Sequence, residues 1–259
     1  MVVLLSSCEK DSAPDPGPPP AGKAGLLKEI VIPNLPSPYF HFDYDNNGRI
    51  SNASYASGLR SYTVTHAGHA IAELKSNTAT NHDRLEYVNN EVGKADLIKY
   101  LDKAGNVYKM VNLMYQDGKL RLIEWERKVA AGFLPERTVS FIYDERDNLR
   151  QMTDHLHDVP GQQETTYVTD YLDYDDNLNV DGFSVFHRDS DHLLLFAGVK
   201  LQKNNPRRVI FSGNGGGYTI DYTYTYHNRA PVTRHGEALI TEGQNAGQRF
   251  QTNATYSYY

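Results

Sequence analysis

An all-β domain is the fold class this sequence predicts: an antiparallel meander of hairpins forming a curved, largely single-layer sheet or half-barrel. Three observations predict it. Apolar and aromatic residues alternate with polar ones at period two over several segments, the signature of half-buried strands. The 259 residues include 19 Tyr and 9 Phe, side chains that favour strands. Strand-like runs also end, again and again, in the same kind of short polar or glycine turn.

The chain divides into three parts before any strand is considered. Residues 1–8 read as the remnant of a lipoprotein signal, because a short apolar run is followed by small residues and then Cys8, the single cysteine. Leu5-Ser6-Ser7-Cys8 resembles the lipobox of bacterial lipoproteins, a resemblance that implies lipidation of Cys8. Met1 stands seven residues before Cys8, so a charged region and a full apolar region are missing from the signal. Residues 9–25 form a tether: five prolines fall between Ala13 and Ala21, with too few apolar side chains to offset the entropy of ordering. Glu9, Lys10 and Asp11 resemble the short signals that send some Gram-negative lipoproteins to the outer face of the outer membrane. Residues 26–259 make one antiparallel β domain.

Within that domain the elements follow in order. In "YFHFDYD", Phe40, Phe42 and Tyr44 share one face, opposite His41, Asp43 and Asp45. Strands are expected over "LIKYL", "YKMVNLMY", "LRLIEWE", "TVSFIY" and "YVTDYLDY". In "YTIDYTYTYHN", Tyr218, Ile220, Tyr222, Tyr224 and Tyr226 face one way and Thr219, Asp221, Thr223 and Thr225 the other. "DHLLLFAGV" at 191–199 fits a helix or a buried strand equally well.

The turns share a frame. Tyr44-Asp45-Asn46-Asn47-Gly48-Arg49-Ile50 matches "YDERDNL" at 143–149, "YDDNLNV" at 174–180 and "YHNRAPV" at 226–232, with looser versions in "LDKAGNV" and "YQDGKL". Asp can accept a hydrogen bond from a backbone N–H two residues on, and Gly48, Gly105 and Gly118 suit positive-φ positions. This frame is similar to that of YD-repeat proteins. The late stretch "FAGVKLQKNNPRRVIFSGNGGGYTIDYTYTYHNRAPVT" resembles the closing segment of a Gram-negative cell-envelope lipoprotein family of unknown function. That resemblance spans roughly residues 26 to 235 and implies a porin-like or half-barrel β fold, with no activity to carry over. Ala230-Pro231 stands where the resemblance would place a glycine turn, which leaves the geometry of that hairpin open.

Composition excludes several functions. The formal charge is −6 and the basic residues are scattered, so nucleic acid is not an expected partner. No apolar run approaches the roughly 20 residues of a membrane helix. Asp43, Asp45, Asn47 and Gly48 match part of a calcium loop, yet Ser54 stands where a bidentate Glu belongs and Ile142 replaces the first ligand in a sister copy. His155 and His157 lack a third ligand, "HRDSDH" at 187–192 reads as a solvated loop, and "GNGGG" at 213–217 reads as a hairpin tip. No metal, cofactor or catalytic residue is therefore expected. The candidate binding face is the tyrosine row Tyr218, Tyr222, Tyr224 and Tyr226, flat rings with polar tips suited to a glycan or a protein partner. The expected function is a non-enzymatic binding or scaffolding module of the outer membrane, lipid-anchored through Cys8 and surface-exposed or periplasm-facing. A hydrolase of extracellular polymers and a purely structural envelope component are the alternatives.

Overall fold

The computed structural model describes residues 25–78, 84–185 and 200–259. Cys8, most of the tether and the 187–199 segments lie outside the described residues. Among the described residues, sixteen strands run in chain order: β1 (Leu27–Val31), β2 (Phe40–Tyr44), β3 (Ile50–Tyr55), β4 (Arg60–Ala67), β5 (Ala70–Ser76), β6 (Arg84–Asn89), β7 (Ala95–Leu101), β8 (Val107–Gln116), β9 (Lys119–Val129), β10 (Gly132–Tyr143), β11 (Leu149–Leu156), β12 (Thr165–Leu172), β13 (Arg208–Gly213), β14 (Gly216–His227), β15 (Ala230–Glu242) and β16 (Arg249–Tyr258). Each pairs antiparallel with the next, and β1 pairs with β16, so the sheet closes into a full barrel. The expected half-barrel or curved open sheet is thereby corrected. Closure joins Ile30 to Tyr256 across almost the whole chain, a pairing that alternation within single strands cannot encode.

The expected alternation is present, and it points inward. Phe40, Phe42, Leu74, Ile98, Ile123, Trp125, Val139 and Ile220 are buried inside the barrel. The opposite residues of the same strands, such as Glu73, Glu86, Lys99, Glu124 and Thr223, face outward. Several of these are paired on the outer wall, as in Arg84 with Glu73 and Glu86 and His41 with Glu29.

The repeated turn frame has a clear physical basis. Asp45 Oδ1 accepts the N–H groups of Asn47 (2.8 Å) and Arg49 (2.9 Å); Asp102 does the same for Ala104 and Asn106, and Asp144 for Arg146 and Asn148. Those bonds, with the Arg49 guanidinium on the other oxygen, pull the Asp45 carboxyl down to about 2. Gly48, Gly105 and Gly118 have φ of 74°, 86° and 73°, and Asp147 takes φ 64° at the place that Gly48 holds in its own copy. Ala230-Pro231 leaves the final hairpin intact, because Asn228 and Arg229 supply the two positive-φ turn residues and His227 pairs with Ala230.

The tyrosine of the frame has its own task. A register shift precedes Tyr44, Tyr115 and Tyr143, and each then donates its hydroxyl to a carbonyl at the start of the preceding strand. Tyr44 reaches Leu27 (2.7 Å), Tyr115 reaches Ala95 (3.1 Å) and Tyr143 reaches Leu120 (2.8 Å). Tyr174, just after β12, reaches Leu149 in the same way. These latches lie at the barrel end that also holds both ends of the domain, where Gly25 N–H donates to Tyr259 O at 2.9 Å.

Asp117-Gly118 forms the tight turn between β8 and β9, with φ of 52° and 73°. Gly118→Val forces a β-branched residue into the left-handed region. It is expected to lower stability by about 1–3 kcal/mol, read as a lower denaturation midpoint. An unchanged midpoint would show that this turn is not formed.

Candidate functional site: the luminal cavity

The described parts of the β12–β13 connection, residues 173–185 and 200–207, fold back into the barrel at the end that holds the termini. Asp175 anchors it, its Oδ1 accepting the N–H groups of Asn177 (2.9 Å) and Asn205 (3.1 Å) and its Oδ2 the Tyr226 hydroxyl. Asn148 Oδ1, fully buried, accepts from Lys203 N (2.8 Å) and Asn204 N (2.9 Å) and so ties the connection to the β10–β11 turn. The 3-10 turn Gly182–Val185 is carried into the lumen, where the ring of Phe183 packs edge-on against Phe40 (5.1 Å) and Phe42 (5.5 Å).

Above this infolded segment lies a cavity of about 410 Å³, within the usual range for small-molecule sites. One side is formed by Ile30, Ile32 and Phe40, and the other by Val209, Phe211, Tyr218, Ile220, Tyr222 and Tyr224. A smaller space of about 200 Å³ beside Met152 and Phe211 continues it past Tyr167. The aromatic wall is ordered: Phe211 stacks on Tyr218 at 4.8 Å and Tyr167 at 5.7 Å. The Tyr222 ring lies over Gly236, its cross-strand partner; a Cβ at that glycine would meet the ring at 2.6 Å, so the missing side chain makes room for the tyrosine.

Two ion pairs stand in the cavity wall. Arg137 on β10 holds Asp154 on β11 through Nε (2.7 Å) and Nη2 (2.9 Å), and its guanidinium lies 4.6 Å from the Trp125 ring. Arg234 on β15 donates Nη1 to Asp181 Oδ2 at 2.8 Å. The same oxygen accepts the Tyr256 hydroxyl at 2.7 Å, and burial pushes that hydroxyl well above its usual range. Asp181 and its neighbours Asn179 and Gln202 come from the infolded connection.

The sequence-predicted tyrosine row is thus divided. Tyr218, Tyr222 and Tyr224 face the cavity, with Tyr224 anchored by a 3.0 Å bond from its hydroxyl to Pro206 O. Tyr226 lies further along and serves Asp175 instead. His155 and His157 do approach, with ring centroids 4.7 Å apart, but they bond Thr166 and Thr138 outside the lumen. Among the described residues no group of three His, Cys, Asp or Glu side chains converges on a metal site. The two arginines were missed by sequence reasoning. Asp154 carried a readable signal, an acid in the same inward row as Met152 and Leu156.

No family model matches the sequence, and no curated protein matches it. Solved structures do. A porin-like protein from Bacteroides uniformis ATCC 8492 superposes with a TM-score of 0.61 at 16% identity, over 90% of this chain and 95% of that one. A porin-like protein from Bacteroides vulgatus ATCC 8482 gives 0.60 at 16%, over 90% and 99%. The chain therefore shares the β-barrel fold of porin-like proteins. Its outer wall, however, carries Glu86, Lys99, Glu124 and Asp221 on β6, β7, β9 and β14, where a membrane-spanning barrel presents an apolar band.

Replacing Arg137 by Met strands Asp154 as a buried carboxylate. Urea denaturation is expected to show a loss of about 3–5 kcal/mol, and a loss below about 1 kcal/mol would mean that the pair is solvated.

Proposed function

We propose that this protein is a lipid-anchored binding module of the bacterial cell envelope that holds a small ligand inside its barrel. The cavity lined by Tyr218, Tyr222 and Tyr224 is the observation that carries this reading. Anchoring through Cys8 and the proline-rich tether fits a barrel whose outer wall is charged, because attachment then does not depend on burying that wall in lipid. The likeness to porin-like proteins supports an envelope location. The aromatic face read as a surface for a glycan or protein partner lines the inside of the barrel, which supports an occupant, or the end of one, that fits within about 410 Å³.

Hydrolysis by paired acids finds no support in the cavity. Both oxygens of Asp154 are taken by Arg137, and those of Asp181 by Arg234, Tyr256 and Asn179. Neither presents an unengaged carboxylate to a substrate.

Melting of the full chain against a panel of oligosaccharides, ring compounds, lipids and peptides tests the luminal reading. A ligand of the folded state at a hundredfold excess over its Kd adds about 2.7 kcal/mol. The expected result is a shift in the wild type that shrinks in Ile220→Trp, which narrows the cavity; an equal shift in both would put binding elsewhere, and no shift across the panel would favour a structural role. Cys8→Ala is expected to release the protein from membranes in cell fractionation, and continued membrane association would contradict the anchor.

A further inference from the structure

Closure of the barrel engages only part of β16. Leu27, Glu29, Ile30 and Val31 of β1 pair with Tyr258, Ser257, Tyr256 and Thr255, whereas β15 pairs with β16 from Thr255 up to Arg249. Arg249 to Ala254 therefore have β15 on one side and, among the described residues, no strand on the other. Strand geometry decides which backbone groups this leaves over. Tyr259 O accepts from Gly25 N–H at 2.9 Å and Tyr259 N–H donates to Leu26 O at 3.0 Å, so Tyr259 turns both groups towards β1, and every second residue before it does the same. Beyond Thr255 these are Asn253, Gln251 and Arg249. Among the described residues no backbone partner reaches them from that side.

This edge is unprotected where a comparable one is covered. Residues 132–136 of β10 also run past their neighbour, since pairing with β11 begins at Arg137. There Pro135 interrupts the edge, and Glu136 O accepts from His157 N–H (3.0 Å) and Gln162 Nε2 (2.8 Å), the kind of device that blunts strand edges. Arg249 to Ala254 hold no proline or lysine, and Arg249 is their one charged residue. Phe250 is instead left 46% exposed. Cross-strand pairing sets Ile220, Ala238 and Phe250 in one row and Tyr222, Gly236 and Thr252 in the next, so the free edge stands level with the cavity-lining Ile220 and Tyr222. We propose that the free edge of β16 binds an extended segment of a partner protein as an added antiparallel strand, in line with β1, its backbone bonded to Gln251 and Asn253 and its apolar alternate side chains turned inward beside Phe250. A second copy of the chain fits less well. In full overlap along Arg249 to Ala254 it would set Asn253 opposite Phe250 and Gln251 opposite Thr252, bringing outer-wall amides against inward-facing side chains.

Fluorescence anisotropy of a labelled heptapeptide, Thr-Phe-Thr-Val-Thr-Phe-Thr, with the full chain tests this surface. Opposite Gln251 and Asn253 an outward threonine bonds through its own N–H, whereas the inward Phe and Val residues turn theirs to solvent. Saturable binding is expected. N-methylation of the two inner threonines should raise the Kd about tenfold or more, and N-methylation of the two phenylalanines should leave it within about twofold. Gln251→Pro removes a donor that the barrel does not use, and should weaken binding by about tenfold with the melting temperature unchanged; if that variant does not fold, the N-methylation series decides alone. No binding of the peptide, equal effects of the two methylations, or the reverse order would overturn the proposed edge. A dimer in sedimentation velocity that Gln251→Pro converts to monomer would also overturn it, because a second copy would then hold the edge. Neither Gln251 nor Asn253 lines the cavity, so the outcome is separate from that of the small-ligand panel.

Discussion

Pairing of β1 with β16 is the constraint on which the rest of the structure depends. A sheet with one apolar face must cover that face, and an open meander of sixteen strands would also leave two edges able to pair with other chains. Closing the sheet settles both matters at once. Leu27, Ile30 and Tyr256 come together at the seam, and the period-two aromatic rows become the lining of one lumen. The tyrosine latches act on the same structure locally, since each fixes the end of a strand to the one before it. Tyr44 does this beside the seam itself, and Tyr259 adds a bond from its hydroxyl to Phe42 O at 3.1 Å.

The resulting barrel shares the fold of porin-like proteins, and its polarity is the reverse of that of a membrane-spanning barrel, whose lipid-facing wall is apolar. Its lumen contains Phe42, Leu74, Ile98 and Trp125, and its outer wall carries mid-strand charges such as Lys99 and Glu124. An arginine or lysine at the middle of a lipid-facing wall costs roughly 2–4 kcal/mol, and this wall has several charged side chains. Turned inside out in this way, the same fold makes a core rather than an aqueous pore. Residues 179–185 and Gln202 of the β12–β13 connection further fill the lumen and border the cavity beside the tyrosine wall.

Much of this was legible in the sequence. The alternation in "YFHFDYD" and "YTIDYTYTYHN" correctly separated the two faces, and the Asp and Gly positions of the turn frame marked hairpins that the structure contains. Closure was not legible, because β1 and β16 carry no mark of each other and the distance between them is almost the whole chain. The purpose of the frame's tyrosine was also hidden, since its bond goes to a carbonyl in another strand. That Tyr218, Tyr222 and Tyr224 share a face was readable from their period-two spacing, but not that Tyr226 bonds Asp175 in the β12–β13 connection. Arg137 shares the parity of the buried Val139 and Phe141, so its inward direction was readable, but its pairing with Asp154 across to β11 was not, and Asp181 meets Arg234 through an infolded part of the chain that no periodicity marks.

The inward placement of the apolar face is the central physical claim, and the chain's one tryptophan reports on it directly. Trp125 is 1% exposed inside the lumen. The decisive measurement is its fluorescence in the Cys8→Ala full chain, in buffer without detergent, with acrylamide as quencher and then with detergent micelles added. A closed barrel with an apolar lumen predicts blue-shifted, poorly quenched emission that micelles do not change. Red-shifted, readily quenched emission that moves to the blue only in micelles would contradict it, because the apolar face would then be meeting lipid rather than itself.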